Sequence, residues 1–157
     1  MIKINSNCIN LIKSFEGFSA KAYHDKIDPP SVDTIGYGTI QYPPTYLGGK
    51  RVKVGDPDIT IAQAVEFLTW EVDLKTKFVD DLIIDTLTEN QFGALISFAY
   101  NLGEGALKGS TLRKKVNSNP DDPTIRQEFL KWDMASGQHV SGLQRRRQAE
   151  ADLYFRK

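Results

Sequence analysis

Apolar residues recur every three or four positions through Ile4, Cys8, Leu11, Ile12 and Phe15, with Asn5 or Ser6 ahead of them as a capping side chain. That period predicts a first helix over about 5–15, stopped by Gly17. From Tyr23 to Asp58 the pattern changes. Pro29, Pro30, Pro43, Pro44 and Pro57, together with glycines, cut the chain into short β-prone pieces such as Thr34–Thr39 and Arg51–Val54. These predict a small, loop-rich antiparallel sheet. Helical periodicity then returns. Thr60 with Gln63 reads as a capping box opening a long helix toward about Phe78. A second box, Thr88 with Gln91, precedes the amphipathic stripe Phe92, Leu95, Ile96 and Ala99, and Gly103 suits its C-terminal stop. Shorter helices are expected around 110–117 and 122–134, and a last one from Ser141, again with a glutamine, Gln144, three positions on. The predicted class is α+β, one domain over 1–157. A β-rich lobe covers about 15–59 and a helical lobe about 60–157, with helix 5–15 packing on the latter.

Composition narrows the partners. With 20 basic and 20 acidic residues in 157, the formal charge is zero, so the basic excess that drives phosphate binding is absent and no nucleic-acid partner is expected. Cys8 is the only cysteine; no internal disulfide can form, and its place in an apolar series predicts a small buried hydrophobe. The first residues lack a continuous apolar core and a small-residue cleavage site, so no signal peptide is expected. No apolar run is long enough to span a bilayer, so no stable membrane insertion is expected. His24 and His139 are far apart with no ligand spacing, and both are expected to be solvated; no metal or cofactor is implied.

Candidate chemistry gathers between residues 16 and 38. Glu16 falls in the last turn of the first helix, where the macrodipole disfavours a carboxylate, and Phe15 and Phe18 flank it. Aromatic surroundings desolvate a carboxyl group and suit it to acid work near neutral pH. Asp25 lies nine positions on, within reach of that helix end. Two carboxylates across a groove are the minimal equipment for glycoside hydrolysis. Thr34 opens a Gly-rich strand and brings a hydroxyl. Asp28 and Asp33 are open alternatives for the second carboxylate.

The series Glu16-Gly17, then Ala22-Tyr23 and Asp25, then Thr34-Ile35-Gly36-Tyr37-Gly38 closely resembles the phage-type lysozymes of glycoside hydrolase family 24. Two further blocks are similar to that family: Asn90–Leu95 running into Phe98–Gly103, and Gly142-Leu143 followed by Arg145-Arg146-Arg147 and Glu150. The resemblance implies a lysozyme-like fold, with a small β lobe and a larger helical lobe flanking the active-site groove. It implies Glu16, Asp25 and Thr34 as the catalytic triad, and Ile40, Tyr100, Asn101 and Thr111 as substrate-binding residues. The three arginines form either a solvated helix face or a support for Glu16, with Arg145 and Arg146 as the supporting candidates. This chain departs from the family in an insert at 28–30 and in Thr39, where a histidine is common.

The activity implied is that of a muramidase, cleaving the β-1,4 bond between N-acetylmuramic acid and N-acetylglucosamine in a peptidoglycan strand, with inversion. A lytic transglycosylase on the same bond and an inactive glycan-binding or phage tail domain are the alternatives. The expected setting is a monomer made in a host cytoplasm that reaches the wall by holin-dependent release or virion delivery.

Overall fold

The computed structural model describes residues 6–25 and 31–157. In chain order these form α1 (Ser6–Glu16), β1 (Ser19–Asp25), β2 (Val32–Gly36), α2 (Ile61–Leu82), α3 (Glu89–Leu102), α4 (Glu104–Gly109) and α5 (Thr111–Ser118). After them come α6 (Ile125–Leu130), the short strands β3 (Met134–Ala135) and β4 (Gln138–His139), and α7 (Ser141–Tyr154). The chain divides into two compact units. One takes in the chain up to Leu11 and again from Leu74 to Lys157; the other is Ile12–Asp73. Their boundaries fall inside α1 and α2, some residues beyond the lobe limits of 15 and 59 that periodicity suggested.

In Ile12–Asp73 the sheet is a two-stranded antiparallel hairpin that pairs Tyr23 with Thr34, His24 with Asp33 and Asp25 with Val32. The 51–54 piece forms no strand. A single bridge joins Gln41 to Arg51, backed by Tyr42 N–H to Lys50 O at 3.1 Å and Val52 N–H to Ile40 O at 3.0 Å. Asp56 gathers this loop, accepting from the Tyr42 hydroxyl (3.2 Å), the Lys53 N–H (2.9 Å) and the Lys50 ammonium. Beneath it Tyr42, Tyr46 and Phe67 stack edge-on and tilted with centroids 5.0–5.5 Å apart, so aromatic packing substitutes for a regular sheet. Thr60 and Gln63 form the expected reciprocal bonds ahead of α2.

The helical unit is built around α3. The Thr88–Gln91 box forms, and Gly103 ends the helix at φ 91°. All nine residues from Gln91 to Ala99 are buried, so α3 is a central helix and not one with a single apolar face. Cys8 lies against it so closely that a Cβ built on Gly93 would sit 3.0 Å from the Cys8 Cβ. Burial pushes the Cys8 thiol up to about 12. The 122–134 segment is helical only over Ile125–Leu130, and then turns through a hairpin at Ser136-Gly137, whose φ values of 50° and 76° suit a primed turn. The expected third capping box is absent. Val140 caps α7 without a side-chain bond, and Gln144 donates to Asp133 at 3.1 Å instead.

A polar cluster lies inside this unit. Glu150 and Arg147 are fully buried and Arg146 is nearly so. Glu150 Oε1 accepts from the Ser97 hydroxyl (2.7 Å), Arg147 Nη2 (2.9 Å) and Arg146 Nε (3.4 Å). Glu150 Oε2 lies 2.7 Å from Arg147 Nε, an ion pair whose angle falls outside hydrogen-bond geometry. Burial pushes the carboxyl up and the two cations pull it back. The reading of 145–147 as a uniformly solvated face is therefore corrected: with helical spacing, Arg146 and Arg147 face the core while Arg145 stays exposed.

Candidate active site

Glu16 is the last residue of α1, and the chain leaves it through Gly17, whose N–H bonds Lys13 O at 3.1 Å and whose φ is +69°. That left-handed turn ends the helix and sends the backbone directly into β1. The turn after β2 comes back to the same carboxyl group. A Cβ on Gly38, at φ +80°, would lie 2.7 Å from Glu16 Oε2, so only glycine leaves room for the acid there. Next to it the Tyr37 ring meets Phe18 at 5.6 Å and carries the Lys13 ammonium at 5.4 Å.

The hairpin sets the other two groups. Opposed residues in an antiparallel pair share a face and successive residues alternate, so Tyr23, Asp25 and Thr34 fall on one face and His24 and Asp33 on the other. Asp25 and Thr34 are diagonal neighbours there, roughly 7–8 Å apart by backbone spacing. Thr34 is buried, Asp25 half-buried and Tyr23 41% exposed. The Tyr23 phenol is pushed up by burial first, then by the charges of Asp25 and Glu16. Tyr23 lies directly across the hairpin from Thr34, and no pattern in the sequence singled it out.

Of the alternatives for the second carboxylate, Asp28 and the rest of the 28–30 insert lie outside the described residues. Asp33 has both oxygens engaged: Oδ1 is 2.7 Å from His24 Nδ1, and Oδ2 accepts the Val54 N–H at 3.0 Å. These bonds hold its carboxyl below the usual aspartate range. His24 thus makes a side-chain contact with Asp33 at the surface, as His139 does with Asp133 at 2.8 Å, and both histidines are exposed as expected.

Ile40 is exposed in the unit that holds Glu16, Asp25 and Thr34. Tyr100, Asn101 and Thr111 belong to the helical unit, the first two half-buried at the end of α3 and Thr111 exposed at the start of α5. The Asn101 carbonyl oxygen accepts from Arg147 Nη2 at 2.8 Å. Arg147 was not among the expected site residues; a buried arginine beside two others carries no signal of its own in sequence. Arg145 lines a groove with Leu130, Asp133, Gln144 and Gln148. Among the described residues, no three His, Cys, Asp or Glu side chains gather as a metal site would require, and no helix is long and apolar enough to cross a membrane.

A sequence profile of the family described as phage lysozyme matches residues 13–150. The endolysin of Bacillus phage B103 is 38% identical over 154 residues, covering 98% of this chain and 54% of that protein. This chain thus spans about half the length of the Bacillus phage relatives it matches, 54% and 55%. Among solved structures, the endolysin from Escherichia coli O157:H7 phage FAHEc1 superposes with a TM-score of 0.81 at 34% identity, covering 98% of this chain and 93% of that one. The muramidase domain of SpmX from Asticaccaulis excentricus does so with a TM-score of 0.79 at 30% identity, covering 100% of both chains.

Proposed function

The chain belongs to the phage lysozyme family, and on that footing we propose that it is a muramidase, hydrolysing the β-1,4 bond between N-acetylmuramic acid and N-acetylglucosamine in peptidoglycan. Glu16 donates its proton to the glycosidic oxygen. The Asp25 carboxylate, with the Thr34 hydroxyl, holds a water against the anomeric carbon, accepts its proton as the water attacks, and favours the oxocarbenium-like transition state. The water attacks from the face opposite the leaving group, which inverts the anomeric centre. Ile40, Tyr100, Asn101 and Thr111 bind the glycan strand. With its acceptor held by Arg147, the Asn101 carboxamide offers sugar oxygens its NH₂ group. The protein acts as a monomer on the bacterial wall, which it reaches by holin-dependent release or virion delivery.

The observation that carries this reading is that Asp25 and Thr34 share one face of the hairpin while the turn at Gly38 that follows β2 closes against the Glu16 carboxyl. Clearing of purified peptidoglycan by the wild type and by Glu16→Gln, both checked for folding by circular dichroism, tests it. Clearing by the wild type alone, with reducing and not 1,6-anhydro ends in the products, supports the assignment. Equal clearing by both proteins overturns it.

A further inference from the structure

The outer face of the catalytic hairpin carries an aspartate whose position the proposed chemistry does not use. Asp33 sits one residue before Thr34, and its cross-strand partner His24 sits one residue before Asp25. One Asp33 oxygen meets His24 Nδ1 at 2.7 Å, and the other accepts the Val54 N–H at 3.0 Å. A single carboxylate thereby ties three segments together: β1, β2 and the loop gathered by Asp56.

The surroundings make this tie consequential. The hairpin has two strands only, and its register shifts between Ser19 and Tyr23, so continuous pairing is confined to the three pairs of 23–25 with 32–34. An isolated two-stranded ribbon is marginal in water, and its twist is easily altered. Asp25 and Thr34 are diagonal neighbours on the inner face, so a change in strand twist alters their separation directly. A surface ion pair contributes little to global stability. Its effect falls on local geometry.

We propose that Asp33 is a positioning residue for the hydrolysis: through His24 and the Val54 amide it clamps the outer face of the hairpin and fixes the distance between Asp25 and Thr34 on the inner face. The inference rests on the reading of Asp25 and Thr34 as the water-activating pair.

The test compares Asp33→Ala, His24→Ala, His24→Asn, the Asp33→Ala/His24→Ala double variant and Asp25→Asn with the wild type, on soluble uncross-linked glycan strands of peptidoglycan. Asp33→Ala is expected to lower kcat roughly 10-fold with KM within about 2-fold, since sub-ångström to ångström misplacement of reacting groups costs up to about 100-fold. His24→Ala should fall in the same direction, and the double variant no further than Asp33→Ala, as members of one contact are not additive. His24→Asn, whose amide nitrogen occupies the place of Nδ1, should recover to within about 3-fold of the wild type. Amide exchange at Val54 should quicken in Asp33→Ala. Unchanged kcat in folded Asp33→Ala overturns the clamp and leaves the catalytic assignment standing. Full activity in Asp25→Asn overturns both. If Asp33→Ala does not fold, the two exposed His24 variants decide, because equal activity in His24→Ala and His24→Asn excludes the clamp.

Discussion

The unit Ile12–Asp73 secures its short strands and loops with part-exposed aspartates, whereas the helical unit buries an ion cluster in its core. Asp33 and Asp56 each collect donors from segments with little regular hydrogen bonding of their own. Glu150, Arg146, Arg147 and Ser97 lie among helices that already satisfy their backbones. The same chemical groups thus do different work. At the surface a carboxylate shapes a loop at small energetic consequence. In the core it is costly to desolvate and costly to remove, and it fixes how α7 lies against α3.

Removing one side of the buried cluster should have the largest effect. Glu150→Leu is expected to lose about 3–5 kcal/mol in denaturant unfolding, because it leaves Arg146 and Arg147 buried without their carboxylate, whereas Arg147→Met, which leaves Arg146 on Glu150, should lose less. Replacing all three by Arg146→Met/Arg147→Met/Glu150→Leu should recover a large part of the Glu150→Leu loss. Single losses below about 1 kcal/mol would erase the contrast between the units. Gly38→Ala sharpens the comparison from the other side. Its Cβ would lie 2.7 Å from Glu16 Oε2 at φ +80°, so turnover should drop at least about 10-fold while stability falls by only about 1–3 kcal/mol. Wild-type turnover in the folded variant would show that the turn does not set the acid. The smallest effect concerns acid stability. The Asp33 carboxyl is held low chiefly by His24 and the Asp56 carboxyl chiefly by Lys50. Their contribution is present above the unfolded aspartate value of about 3.9 and is lost as pH falls through their lower folded values. Urea midpoints from about pH 6 to about pH 2.5 should therefore fall less steeply in Asp33→Asn/Asp56→Asn than in the wild type.

Much of this was legible in the chain. Reciprocal Thr–Gln caps and the Gly17 and Gly103 stops located helices well, because caps are local chemistry. The α+β class followed from the change in period near residue 60. Three features escaped local reading. The third cap failed because Gln144 found Asp133 through the hairpin that precedes α7, a partner that only the tertiary fold supplies. That hairpin was not expected, because two-residue strands are too short to show an alternating pattern. The 51–54 piece looked like a strand by composition, yet Asp56 and the Tyr42–Tyr46–Phe67 stack hold it as a loop. For the site, the motif named Glu16, Asp25 and Thr34. Spacing by itself left Asp28 and Asp33 open beside Asp25, because which face of a hairpin a residue takes depends on register, and register is not written in spacing alone.

The close approach of Cys8 to Gly93 has a consequence for how such a sequence can change. A methyl group at 93 would require Cys8 to give way by a few tenths of an ångström, so what one position can carry depends on what the other already carries.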